Sequence, residues 1–132
     1  MGVLCGLSIF IGGVKLINAK ADGMPYIDYG TERVYYTETS IQTPNGTSFE
    51  ARYILNDVSD EKKQKENQAN ETFVQAGAML IGAPTAKYNC HSYAWYSQDI
   101  ATNRYTFGSI NAYLDDGSYM EVFNVQPGDI VC

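Results

Sequence analysis

The tripeptide Pro44-Asn45-Gly46 separates two stretches, "MPYIDYGTERVYYTETSIQT" before it and "TSFEARYIL" just after it, both rich in Tyr, Ile, Val and Thr. Aromatic and β-branched side chains suit a pleated, half-buried surface, and Asn-Gly supplies the positive φ that a tight turn needs. The pattern predicts strand, tight turn, strand. It commits the early part of the chain to a hairpin and constrains everything that packs on it. Asn45-Gly46-Thr47 and Asn70-Glu71-Thr72 both match a glycosylation acceptor, but the motif is short and common, and the first is read as the hairpin turn.

Two helices are expected after the hairpin. "DVSDEKKQKENQANETFVQAGAM", from Asp57 to about Met79, is made of strong helix formers, with Ser59 as cap and Asp60 and Glu61 in the first turn. Its apolar spacing improves late, at Ala69, Phe73, Ala76 and Leu80, so the early half reads as a solvated face. "GAPT" at Gly82 to Thr85 breaks the chain. A second helix is expected from Asn89, a favoured N-cap, to near Ala101. At helical spacing Cys90, Ala94, Ser97 and Ala101 form a face of small side chains suited to lying close on a sheet. Further on come a "DDGS" turn at Asp115 to Ser118, a strand-like "YMEVFNV", a "QPGD" turn, and a strand start "IVC" that predicts further chain after Cys132.

Composition enters where it excludes partners. The 132-residue chain is 45% hydrophobic, enough to bury a core, and carries 9 basic against 15 acidic residues. The acids are spread along the chain and no basic stripe exists to neutralise a phosphate backbone, so nucleic acid is excluded as a partner. The first 18 residues are nearly all apolar or small and lead into Ala19-Lys20-Ala21, a small-x-small cleavage pattern. Residues 1–21 are read as an export signal or short membrane anchor. That implies a secreted or cell-surface protein that meets membrane only through this segment. Of the three cysteines, Cys5 leaves with the signal, so Cys90 and Cys132 either pair or stay free.

Chemistry concentrates in "KYNCHSYAWY", residues 87–96, which holds Cys90, the only histidine and the only tryptophan. A thiolate is a nucleophile, and the partial positive charge of a helix start favours it. The adjacent His91 is a poor base for Cys90, because neighbouring helix residues project roughly 100° apart. His91 is expected to be half-buried and hydrogen-bonded to a carbonyl. Trp95 and the tyrosines are expected mainly as core and cleft wall. With one histidine, no close cysteine pair and no calcium-type acidic loop, no metal site is expected. There is no GxxxxGK[ST] or GxGxxG, so no phosphate or dinucleotide cofactor is expected either.

"APTAKYNCHSYAWYSQ", then "DDGSYMEV", then "PGDIV", resembles the front half of secreted bacterial papain-like hydrolases, the NlpC-type and CHAP-type murein amidases and peptidases. The resemblance covers residues 83–132, with residues 22–82 as a leading segment of hairpin and exposed helix. It implies an α+β fold with an incomplete papain-like core. In the family a cysteine opens a helix on an antiparallel sheet, and a Pro-Gly-Asp turn launches the first sheet strand. The catalytic histidine follows on a later strand. Cys90 matches the nucleophile and Pro127 to Asp129 the turn. Tyr88 and Asn89 become candidate substrate-binding residues, and peptidoglycan peptide or a similar amide becomes the substrate. The family's histidine would lie beyond Cys132, so the chain is expected to be a truncated front part that is inactive alone. Two other readings stay open: a non-catalytic exported cell-wall-binding module, and a structural fragment with Cys90 bridged to Cys132.

Overall fold

The computed structural model describes residues 23–130. Residues 1–21, read above as an export signal or anchor and including Cys5, and Cys132, the candidate disulfide partner, lie outside them. The described residues form a mixed α+β fold around a four-stranded antiparallel sheet in the order β1-β2-β3-β4: β1 Tyr26–Asp28, β2 Arg33–Gln42, β3 Ser48–Ile54 and β4 Tyr105–Thr106. The hairpin predicted around Asn45-Gly46 is β2–β3, in register from Tyr36 opposite Ile54 to Gln42 opposite Ser48. Gly46 takes φ 88° at its turn, where a side chain would be strained.

Strand β2 changes its buried face midway. Val34 and Tyr36 are buried on one face, Thr37 to Ser40 are exposed, and Ile41 is buried on the other face. Because alternate residues line opposite faces, the shift from even to odd apolar positions gives the sheet two cores at opposite ends of its two sides. One core joins Ile27, Val34, Tyr36, Ile54, Val58 and Ala86. The other joins Ile41 and Ala51 with Trp95, Phe107 and Tyr113, flanked by Phe49 and Tyr119. The rings of this second core meet edge to face, Trp95–Tyr119 at 4.9 Å and Phe49–Phe107 at 5.1 Å. Residues of the leading segment and of the cysteine-bearing segment therefore share one core.

Helix α1 spans Asp60–Gln75 and is capped by Ser59, whose hydroxyl accepts from Lys62 N at 3.2 Å. Glu32 fixes that cap by accepting from the Ser59 N–H (2.7 Å) and hydroxyl (2.5 Å). No residue of α1 is buried, and Phe73 and Leu80, expected to improve its packing, stand 53% and 41% exposed. The apolar spacing marks a face that nothing among the described residues covers. No helix of the described residues is long and apolar enough to cross a membrane.

Three other expectations are corrected. The cysteine-bearing helix opens at Cys90 but widens to a π-helical turn over Ser92–Tyr96 and stops there, well short of Ala101. "YMEVFNV" forms no strand: Tyr119 packs beside Trp95, while residues 120–125 are irregular and exposed, Phe123 at 97%. The Pro127-Gly128-Asp129 turn forms, with Gly128 at φ 104° and Asp129 Oδ2 accepting from Gln126 N at 2.7 Å, yet no strand starts at Asp129 or Ile130. The sheet is thus built from residues 26–54 and 105–106, not launched from that turn. A short helix α2, Asn111–Asp115, runs instead into the "DDGS" turn, where Gly117 takes φ 72°.

Candidate functional site

The segment leading to Cys90 is anchored by Asp57, at the exit of the hairpin. Its carboxylate accepts from Val58 N (2.9 Å), Ala86 N (2.8 Å) and the Thr85 hydroxyl (2.9 Å), and pairs with Lys63 at 2.8 Å. Burial alone would raise the Asp57 pKa, but Lys63 and these three donors outweigh it and hold the carboxyl below its ordinary value. "GAPT" therefore acts as more than a chain break: Thr85 and Ala86 are clamped to the end of the sheet.

Asn89 then sets the start of the helical turn. Its Oδ1 accepts from Ser92 N at 3.0 Å, the N-cap bond predicted from its position, and its Nδ2 donates to the Phe107 carbonyl at 2.7 Å. His91 Nδ1 lies 3.2 Å from the same carbonyl. A carbonyl can only accept, so Nδ1 is the donor in this contact. The His91 ring also lies nearly parallel to the Phe107 ring, with centroids 6.3 Å apart at 18°. The half-buried, carbonyl-bound histidine expected from the sequence is what the fold contains.

Cys90, between these two anchors, is free and exposed. The small-residue face expected to lie on the sheet does so only in part: Ala94 packs against the second core, but Cys90 and Ala101 are exposed, and Ser92 and Trp95 are the buried residues of the turn. The reason is the early end of the turn. Buried Asn103 accepts from the Ser92 hydroxyl at 2.9 Å and donates to the Ser97 carbonyl at 2.8 Å, while Ser97 N closes the π turn on Ser92 O at 2.9 Å. Asp99 then draws the chain into a bend by accepting from Ala101 N and the Thr102 hydroxyl. The turn places Trp95 against Tyr113 and Tyr119.

Tyr88, the other candidate substrate residue, is half-buried and stacked on Tyr93, with centroids 6.1 Å apart. Burial, then the Tyr93 and Asp57 charges, raise its pKa, so it is a neutral hydroxyl at physiological pH. The structure thus brings Tyr88, Asn89 and Cys90 together at one exposed turn. It adds Asp57, Asn103 and Phe107, which sequence reasoning missed. Asn103 and Asp99 are polar turn formers inside a stretch read as helix, a signal that could have marked the stop. The Phe107 contribution is a main-chain carbonyl and has no side-chain signature. No side chain among the described residues hydrogen-bonds the Cys90 sulfur, and no group of three or more His, Cys, Asp or Glu among them is placed to hold a metal ion. No protein-family model, curated protein or solved structure matches this chain.

Proposed function

We propose that this chain carries the nucleophile-bearing segment of an exported bacterial cysteine amidase or endopeptidase of papain-like type, with Cys90 attacking an amide of cell-wall peptide. The observation that carries the reading is the exposed thiol at the first position of a helical turn whose cap, Asn89, is fixed at both ends of its amide. In the reaction, the thiolate adds to the amide carbonyl, main-chain N–H groups at the turn start stabilise the oxyanion, and the amine leaves as the acyl-thioester forms. The thiol proton needs an acceptor other than His91, which adjoins Cys90 on the turn, where neighbouring side chains point apart, and makes no hydrogen bond to its sulfur. The reading therefore requires a base from outside residues 23–130. Tyr88 and Asn89 contribute by lining the approach to the sulfur.

One observation favours a non-catalytic cell-wall-binding module instead: no acid or base among the described residues contacts the thiol. Affinity labelling separates the two. The protein is incubated with a cell-wall stem peptide bearing a chloromethyl ketone in place of the scissile amide, and adduct formation is followed by intact mass. Labelling of Cys90 that saturates with peptide concentration and disappears in Cys90→Ala supports the hydrolase reading. A rate linear in peptide and equal to that of a free model thiol rejects it.

A further inference from the structure

The middle of the sheet carries an arrangement independent of Cys90. On the face shared by Tyr36 and Ile54, Glu38 lies directly opposite Arg52, Arg52 lies directly opposite Thr106, and Glu50 is the next residue along on that face of β3. Acid, guanidinium and hydroxyl thus form one row across three strands, with a second acid beside it. These four side chains line an open pocket of about 440 Å³ floored by the Phe107–Gly108 strand exit. That volume falls in the range of small-molecule sites, ~300–1,000 Å³.

The charges in the row are not used on one another. Opposite charges directly across an antiparallel pair ordinarily attract, yet Arg52 forms no ion pair with Glu38 or Glu50, unlike Lys63 with Asp57 and Lys65 with Glu61 elsewhere. The Arg52 guanidinium instead lies over the ring of buried Tyr36, 4.8 Å from its centroid. That stacking holds its position and leaves its N–H edge available. Among the described residues the Glu38 and Glu50 carboxylates have no hydrogen-bond partner, and neither does the hydroxyl of Thr106. Thr106 is only 9% exposed. The small part of Thr106 that stays accessible includes its hydroxyl, which opens into the pocket where a ligand or water reaches it.

We propose that this pocket binds a small zwitterion of the α-amino-acid class, its carboxylate held by Arg52 and the Thr106 hydroxyl and its ammonium between Glu38 and Glu50. Two carboxylates against one guanidinium leave a net negative charge. A basic amino acid therefore binds better than an acidic one, and a diamine lacking the carboxylate loses the Arg52 contact.

The test is calorimetric titration of the full chain with L-lysine, L-glutamate and cadaverine, with folding of each variant checked by far-UV circular dichroism. Saturable lysine binding is expected, with glutamate and cadaverine each at least about tenfold weaker. Arg52→Gln should bring lysine down to the level of cadaverine, Glu38→Gln with Glu50→Gln should abolish binding, and Thr106→Val should weaken lysine while leaving cadaverine unchanged. Absence of saturable lysine binding overturns the proposal. So does lysine affinity that is equal to that of cadaverine, or unchanged in Thr106→Val and in the double glutamine variant. Labelling of Cys90 is unaffected by any of these outcomes.

Discussion

Asp116 carries the most strongly displaced carboxyl among the described residues. The Thr43 hydroxyl, and then the hydroxyl and N–H of Ser118, hold its pKa down to about 2 against an ordinary 3.8, overcoming partial desolvation. Asn45 completes the lock by donating from Nδ2 to the Asp116 carbonyl at 2.9 Å. The hairpin turn is thus fastened to the "DDGS" turn. A carboxyl whose folded pKa lies below its unfolded value adds stability that is present above the unfolded pKa and is lost as pH falls through the folded one. Urea midpoints measured from pH 5 down to about pH 2 should fall for the natural protein, and fall less steeply for Asp116→Asn. Identical slopes would show that the lock does not form. Both turns were legible as turns from Asn-Gly and Asp-Gly. Their contact was not, because sequence patterning carries no information on which surface loops meet. The same holds around Cys90: the Asn89 cap is local and readable, whereas the Phe107 carbonyl that receives both Asn89 and His91 comes from a distant strand exit.

At the scale of elements, local signals located starts better than ends or burial. Helix α1 begins where Ser59, Asp60 and Glu61 predict, but the apolar residues that suggest a packed second half stay exposed. The cysteine turn begins where Asn89 predicts and ends early because Asn103, a tertiary partner, takes its hydrogen bonds. These two elements differ in how they are held, and substitution separates them. Trp95 is 8% exposed within the second core, so Trp95→Ala should cost about 3–5 kcal/mol in urea unfolding. Phe73→Ser, on the uncovered face of α1, should change stability by no more than about 0.5 kcal/mol. A large loss from Phe73→Ser would mean that α1 is packed against something in solution.

Across the whole molecule, one sheet does two jobs. Its two cores lie at opposite ends of opposite faces, an offset written into β2 as a change in the phase of its apolar residues around Thr37 to Ser40. The second core seats Trp95 and so rotates Cys90 into solvent, while the uncovered middle of the other face holds the unpaired Glu38, Arg52 and Glu50. Tyr113 sits in the same second core, its hydroxyl without a hydrogen-bond partner among the described residues and its pKa pushed up to about 12, first by burial and then by Tyr119. The α+β class follows from hairpin and helix signals together. The seating of the cysteine turn on the leading hairpin was not legible, because the motif "NCHSYAWY" was read with the strands that follow it, whereas Trp95 packs with Ile41 and Ala51 that precede it. The central claim, that Cys90 is a nucleophile presented without His91 as its base, is tested most directly by the rate of Cys90 labelling with the chloromethyl ketone peptide in the natural protein and in His91→Ala. The account predicts rates within about twofold of each other. A fall of tenfold or more in His91→Ala, in protein that remains folded, would contradict it.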